Sequence, residues 1–342
     1  MLSINKNALA IVISDVHLGD LFCKFNEFEL FLDNLLKNKI QGNFPYLRAL
    51  ILLGDTFDII MNTFWNLCNG PEFRNIFYLL NSINNNGIDV VIVLGNHEIS
   101  TTGSYNLLFE SRKNEFLKNM LNNGFSYNFL SSISLCQYAI IGKTEENQLG
   151  LLLYDSVYKI KYNHNDELVS SNRNFILSQY YNFNDKSYFM THGYQFENWY
   201  THHIIRAPWW SIFMGYDPDS KSGLNKFWYN WRTQQENFNQ DAFYQYLKSQ
   251  GIGKESVKGV HISKFIENEI YEKKKHFYDN ALKFLNLNGF NKITNIIFGH
   301  IHEVQEVQKE NKIMIINGCW LQNKESYFTE INLNGEYRLR KI

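Results

Sequence analysis

Five short apolar runs, rich in β-branched residues, each stop at a side chain able to ligate a cation. "LAIVIS" (9–14) stops at Asp15 and "LRALILLG" (47–54) at Asp55. "DVVIVLG" (89–95) stops at Asn96, "SYFMT" (187–191) at His192 and "TNIIFG" (294–299) at His300. Continuous apolar runs of this length read as strands of a sheet covered on both faces. Between the first three lie amphipathic helical patterns. One covers 25–39 through Phe25, Phe28, Leu32, Leu35 and Leu36; the other covers 72–86 through Phe73, Ile76, Phe77, Leu80 and Ile83. This alternation predicts an α/β sheet with right-handed crossovers. In 133–160 and 313–341 strand-like runs follow one another with short turns, which predicts a second, more mixed or antiparallel sheet. Two facing sheets with helices outside would bury every run.

At 342 residues the chain can build a sizeable core in one large domain or two ordinary ones. Its 44% hydrophobic and 20% charged residues fit a soluble globular protein. A net charge of −1 gives no global field to attract nucleic acid. Cys23, Cys68, Cys136 and Cys319 form no CxxC and are expected to be reduced and mostly buried, which suits a cytoplasmic setting. The N-terminal segment lacks the charged, apolar and small-residue succession of a signal peptide. No apolar run approaches the roughly 20 residues of a membrane span.

Residues 196–290 interrupt the pattern and hold five of the seven tryptophans. "HISKFIENEIYEKKKHFYDNALKFL" (261–285) has helical spacing with charges between its apolar positions. The expected organisation is a core of 1–195 and 291–342 with a mostly helical, aromatic-rich cap inserted at 196–290. The insertion follows His192 closely, so it is expected to cover whatever site His192 serves. Its aromatics read either as a small helical core or as an apolar groove for a lipid tail, a nucleobase or a membrane surface. His202 and His203 are expected to pack within it, and Arg206 is either a phosphate contact or a surface ion pair.

The strand ends carry "SDVHLGD" (Asp15, His17), "GDTFD" (Asp55, Asp58), "GNHE" (Asn96, His97, Glu98), "THG" (His192) and "GHIH" (His300, His302). Sites form at the C-terminal edge of open α/β sheets. Asp-x-His and His-x-His on extended backbone would point both side chains the same way. Singly, an Asp after a strand is more often a turn or cap residue. Five such ends in one chain are better explained by a shared pocket. Oxygen and imidazole ligands without thiolate favour Mn²⁺, Fe or Zn²⁺. Seven candidate ligands exceed the needs of one ion and suit two, about 3.5–4 Å apart and bridged by a carboxylate.

The ordered set D-x-H, G-D-x-x-D, G-N-H-E, H and G-H-x-H resembles the calcineurin-like metallophosphoesterases. It spans 15 to 302, nearly the whole chain apart from the insertion. The resemblance implies a four-layer αββα sandwich of two mixed sheets and a dinuclear centre, with Mn²⁺ the foremost metal. It assigns one metal to Asp15, His17, Asp55 and His302, and the other to Asp55, Asn96, His192 and His300. It implies that His97 contacts the phosphate and protonates the leaving oxygen, and that Asp58 orients His97. Glu98 stands where many members have Asp.

Within the family the layout resembles the UDP-2,3-diacylglucosamine pyrophosphatases, which carry a helical cap in a similar place and a motif like "NGCWL" (317–321). Two positions depart from that group: His97 follows Asn96 where an Arg is usual, and His192 is followed by Gly193 and Tyr194 rather than Gly-Asp. The implied activity is hydrolysis of a small phosphodiester, pyrophosphate or phosphomonoester, with peripheral membrane contact through the cap a further option. Two alternatives stand beside it. One is a DNA or RNA nuclease of the same superfamily, disfavoured by the balanced charge. The other is an inactive binding scaffold, disfavoured because every ligand position is filled.

Overall fold

The computed structural model describes residues 4–20, 22–58, 70–93, 95, 134–136, 138–144, 148–154, 157–161, 167–170, 173–178, 186–193, 196, 277–287 and 289–342. Expectations for Cys68, Asn96, His97, Glu98, His202, His203 and Arg206 fall outside these residues. The chain divides into two compact units, 1–193 with 290–342, and 194–289.

The five apolar runs are strands. They are β1 (Ala8–Ile13), β2 (Ala49–Leu53), β3 (Asp89–Val93), β10 (Tyr188–Met190) and β11 (Asn295–Phe298). Strands β4 (Ser134–Cys136), β5 (Tyr138–Lys143), β6 (Leu149–Tyr154), β7 (Val157–Lys161), β8 (Glu167–Ser170) and β9 (Arg173–Ser178) lie between them. Strands β12 (Val304–Lys309), β13 (Lys312–Asn317), β14 (Tyr327–Asn332) and β15 (Tyr337–Lys341) close the chain.

The architecture is α+β, with two mixed sheets. The first runs β15-β14-β1-β2-β3-β4-β7-β8 and the second β12-β13-β11-β10-β5-β6-β9. Strands β1, β2, β3 and β4 are mutually parallel in that order. Here the structure corrects the expectation that the runs in 133–160 and 313–341 belong to a second sheet. β4, β7, β14 and β15 extend the first sheet at its two ends, β4 beside β3 and β14 antiparallel to β1. Partner choice between sheets is a tertiary outcome that period-2 patterning does not encode.

Helices α1 (Phe25–Ile40) and α2 (Pro71–Asn85) follow β1 and β2. Pro71 opens α2 where its missing N–H costs nothing. Lys37 and Lys39 face the negative end of the α1 dipole. Phe28, Phe31, Leu32 and Leu35 of α1 and Ile76, Leu80 and Ile83 of α2 pack with Ile11, Ile13, Leu50 and Leu52 in one core. The alternate residues Ala10, Val12, Ala49, Ile51 and Leu53 pack with Ala139, Leu151, Met190, Ile297 and Ile315 of the second sheet. Burial on both faces is why these strands read as unbroken apolar runs.

In the other unit, residues 277–287 form α3. Phe196 meets Phe277 edge-on at 5.7 Å and its carbonyl accepts a hydrogen bond from Asn280 Nδ2 at 2.8 Å.

Candidate metal centre

All the described candidate ligands follow strand ends, and they come from both sheets. Asp15 and His17 follow β1, and Asp55 follows β2, in the first sheet. His192 follows β10, and His300 and His302 follow β11, in the second. Asp15, His17, Asp55 and His192 are buried, each at most 2% exposed.

The backbone that aims them is not extended, which corrects the alternation argument for Asp-x-His and His-x-His. Asp15 (φ 54°), His17 (φ 53°), Asp55 (φ 47°), His300 (φ 70°) and His302 (φ 57°) are all left-handed. They make up five of the seven described non-glycine residues in that region. Such conformations are uncommon for side-chain-bearing residues and collect at functional sites. Here each left-handed residue turns the chain at a strand end. His17 N donates to Asp55 O at 2.8 Å and Leu18 N to Thr56 O at 2.8 Å, so the two first-sheet loops are tied in register.

The ligating atoms fall into two groups, each drawn together within 4.8 Å. The first is Asp15, His17, Asp55 and His302; the second, among the described residues, is Asp55, His192 and His300. Asn96, the remaining expected ligand of the second group, and His97 lie outside the described residues. His17 Nε2 lies 3.0 Å from His302 Nε2, and His302 Nε2 lies 3.3 Å from Asp15 Oδ1. Asp55 Oδ2 sits 3.0 Å from His192 Nε2 and 3.9 Å from His17 Nε2, between the two groups. Ligands held about 2.0–2.2 Å from one cation lie about 3–4 Å apart, so these separations fit a cation in each group.

Neighbouring atoms fix the rings. His192 Nδ1 is 3.0 Å from the Leu53 carbonyl, and His17 Nδ1 is 3.1 Å from Asp58 Oδ2. The implied partner of Asp58 is His97; the partner described is His17. Asp15 accepts the His300 backbone N–H on both carboxylate oxygens, at 2.9 and 3.0 Å. Burial alone would raise the Asp15 carboxyl. The charge of His192 and the hydrogen bond and charge of His302 outweigh burial and hold it below its ordinary value.

Two glycines make room. A Cβ on Gly54 would run into the His192 ring, and one on Gly299 would meet Asp15 Oδ2, Ser14 and His192 Nδ1. The segment 317–320 closes the back of the site. Asn317 Nδ2 donates to Val12 O at 2.9 Å, Gly318 O accepts from Ser14 Oγ at 3.1 Å, and Trp320 N donates to Asp15 O at 2.9 Å. Cys319 Sγ donates to His302 O at 3.7 Å. Burial pushes the Cys319 thiol up to about 11. Burial, then the charges of Asp20 and Asp58, push Cys23 up to about 12. Neither thiol belongs to a ligand group, and among the described residues the donors are carboxylate oxygen and imidazole.

The sequence model of the calcineurin-like phosphoesterases matches residues 10–304. The chain belongs to that family. As a calcineurin-like phosphoesterase it is a metallophosphoesterase, a phosphohydrolase with a phosphate ester as substrate. Solved structures similar to it include an archaeal phosphodiesterase and a dimetal phosphatase from Danio rerio. The first is 9% identical, covering 97% of this chain and 99% of that one, with a TM-score of 0.32. The second is 10% identical, covering 97% and 95%, with a TM-score of 0.42. No curated protein matches the sequence. Among the described residues, no helix is long and apolar enough to cross a membrane.

What the sequence motifs of this phosphoesterase did not signal is the supporting layer. The Leu53 carbonyl, the Asp58–His17 contact and the close fit of Gly54 and Gly299 involve residues far apart in the chain. Only the glycine preceding each of Asp55 and His300 hints at tight packing.

Proposed function

We propose that this phosphoesterase uses two divalent cations, Mn²⁺ foremost, to hydrolyse a small phosphodiester, pyrophosphate or phosphomonoester in the cytoplasm. The observation that carries the reading is the position of Asp55 Oδ2 between two ligand groups, 3.0 Å from His192 and 3.9 Å from His17. Asp15, His17, Asp55 and His302 would hold one cation, and Asp55, Asn96, His192 and His300 the other. Such a pair would offset the negative charge of the ester and lower the pKa of a bound water.

The chain's own residues do the rest. His97, next to Asn96, donates a proton to the leaving oxygen. His192 and His17 present Nε2 because their Nδ1 atoms face fixed acceptors. The His302 side chain is 32% exposed whereas Asp15 and His192 are fully covered, which supports approach of the ester from the His302 side. We assign substrate selection to 196–290, on its aromatic content alone.

The test is turnover, with Mn²⁺ supplied, of p-nitrophenyl phosphate, bis-p-nitrophenyl phosphate, nucleotide sugars and single-stranded DNA. Hydrolysis of the small esters is expected, and action on polynucleotides only would refute the small-substrate reading. His97→Asn at matched metal content should lose about 10²–10⁴-fold in turnover. Full activity in that variant removes His97 from the mechanism.

A further inference from the structure

Asp58 stands three residues beyond the carboxylate shared by the two ligand groups, and it is fully buried. A carboxylate taken out of water is costly unless hydrogen-bonded. Its Oδ2 lies 3.1 Å from His17 Nδ1. The separation is set by backbone rather than by a side chain reaching out. His17 N donates to Asp55 O, Leu18 N to Thr56 O and Asp58 N to Leu18 O, each at 2.8 Å. Leu18 and Phe57 form a parallel bridge inside the same interval. The two loops are therefore held in one register, with His17 and Asp58 on facing sides of the pairing.

We infer that Asp58 is a positioning residue for His17, a role that rests on the dinuclear reading above. An ionised carboxylate only accepts, so the proton of the neutral His17 ring belongs on Nδ1. That leaves the Nε2 lone pair facing His302 Nε2 at 3.0 Å and Asp55 Oδ2 at 3.9 Å, inside the first ligand group. The second group is backed differently. His192 Nδ1 faces the Leu53 backbone carbonyl at 3.0 Å, a neutral acceptor. The described contact behind His17 is thus an anion, and the one behind His192 is a backbone dipole. Asp58 thereby holds the His17 ring and adds negative charge behind the first ligand group.

The experiment uses the full chain, stripped of metal with a chelator, as wild type and as Asp58→Asn. Asparagine keeps the shape and can still accept from Nδ1–H, but it removes the charge. Mn²⁺ binding is followed by calorimetric titration, and turnover of bis-p-nitrophenyl phosphate is measured at saturating Mn²⁺. The expected result is two binding events in the wild type, one of them weakened about 10–100-fold in Asp58→Asn. The other event should be unchanged. Unchanged affinities at both positions overturn the inference, and with reduced turnover they place Asp58 behind His97 instead. An equal loss at both positions also overturns it. A wild type that binds no Mn²⁺ refutes the dinuclear reading rather than the role of Asp58 within it. A second measurement needs no Asp58 variant. In the Zn²⁺-loaded wild type, ¹⁵N-histidine spectra, with His17 assigned through His17→Gln, should show a protonated Nδ1. A protonated Nε2 on His17 overturns the inference.

Discussion

Gly54→Ala and Gly42→Ala form a matched pair that separates backbone cost from site packing. Both glycines are left-handed, at φ 77° and 78°. A methyl on Gly42 meets nothing within 4 Å, whereas one on Gly54 runs into the His192 ring. Gly42→Ala should therefore cost only the left-handed penalty for an L side chain, about 1–2 kcal/mol. Gly54→Ala carries that penalty and also overpacks a buried site, which adds about 1–3 kcal/mol. Moving the ring also strains the His192 Nδ1 contact with the Leu53 carbonyl, now 3.0 Å, a further loss of about 0.5–1.5 kcal/mol. For a unit of this size each kcal/mol lowers the melting temperature by about 2–4 °C. Thermal unfolding of the metal-free proteins should thus put Gly54→Ala several degrees below Gly42→Ala. Mn²⁺ titration should show a weakened second position in Gly54→Ala, because His192 belongs to that group, and wild-type binding in Gly42→Ala. Equal melting temperatures with wild-type Mn²⁺ stoichiometry in both variants would refute the argument that Gly54 exists to admit His192.

Three other outcomes follow from particular contacts. Trp320 is fully buried and meets Phe28 and Phe31 edge-on at 5.3 and 5.4 Å; Trp320→Ala should cost about 3–5 kcal/mol in denaturant unfolding, and Trp320→Phe less. Cys319, raised by burial to about 11 from 9.0, and Cys23, raised by burial to about 12 from 9.0, should react with iodoacetamide at pH 8.5 far more slowly in the folded chain than after unfolding. The same shifts set a sign for stability. Above about pH 9 the unfolded thiols ionise while the folded ones stay protonated, so this contribution is intact below pH 9 and is lost as pH rises through about 11. Cys23→Ser and Cys319→Ser together should flatten that loss. Mn²⁺ at 100 times its dissociation constant should stabilise the chain by about 2.7 kcal/mol over the chelated form, and an unchanged melting temperature would count against a metal centre.

The strand runs and the ligand groups were legible because both are local. An apolar β-branched run announces a buried strand, and Asp15, Asp55, His192 and His300 stand at the run ends whatever the rest of the chain does. The helices were legible for the same reason: the spacing of Phe28, Leu32 and Leu35 is a property of one turn and the next. Sheet membership was not. β14 carries Phe328 and Ile331, yet nothing in that alternation says that it pairs with β1 rather than with β13. The left-handed turns at Asp15, His17 and Asp55 were not legible either. Asp and His tolerate that region but seldom occupy it, so their identity gives weak notice. Asp58 shows the limit most clearly. Spacing and resemblance mark it as part of the site, but its described partner lies 41 residues away, and only the paired loops bring the two together.

The left-handed turns and the burial have a common cause. Each ligand group draws from both sheets: Asp15, His17 and Asp55 from the first and His302 from the second, then Asp55 from the first and His192 and His300 from the second. Side chains leaving two stacked sheets along their strand directions would run side by side. Left-handed residues in the loops after β1, β2 and β11 turn them toward a common point instead. That convergence buries Asp15, Asp55 and Asp58, at 0%, 1% and 0% exposure, within one site. Three carboxylates so placed repel one another unless positive charge joins them. Two divalent cations would supply it, with the imidazoles as neutral ligands. The same residues that make the apo site electrostatically costly are those that make it bind cations. Because both described ligand groups span the two sheets, cation binding would also tie the sheets together.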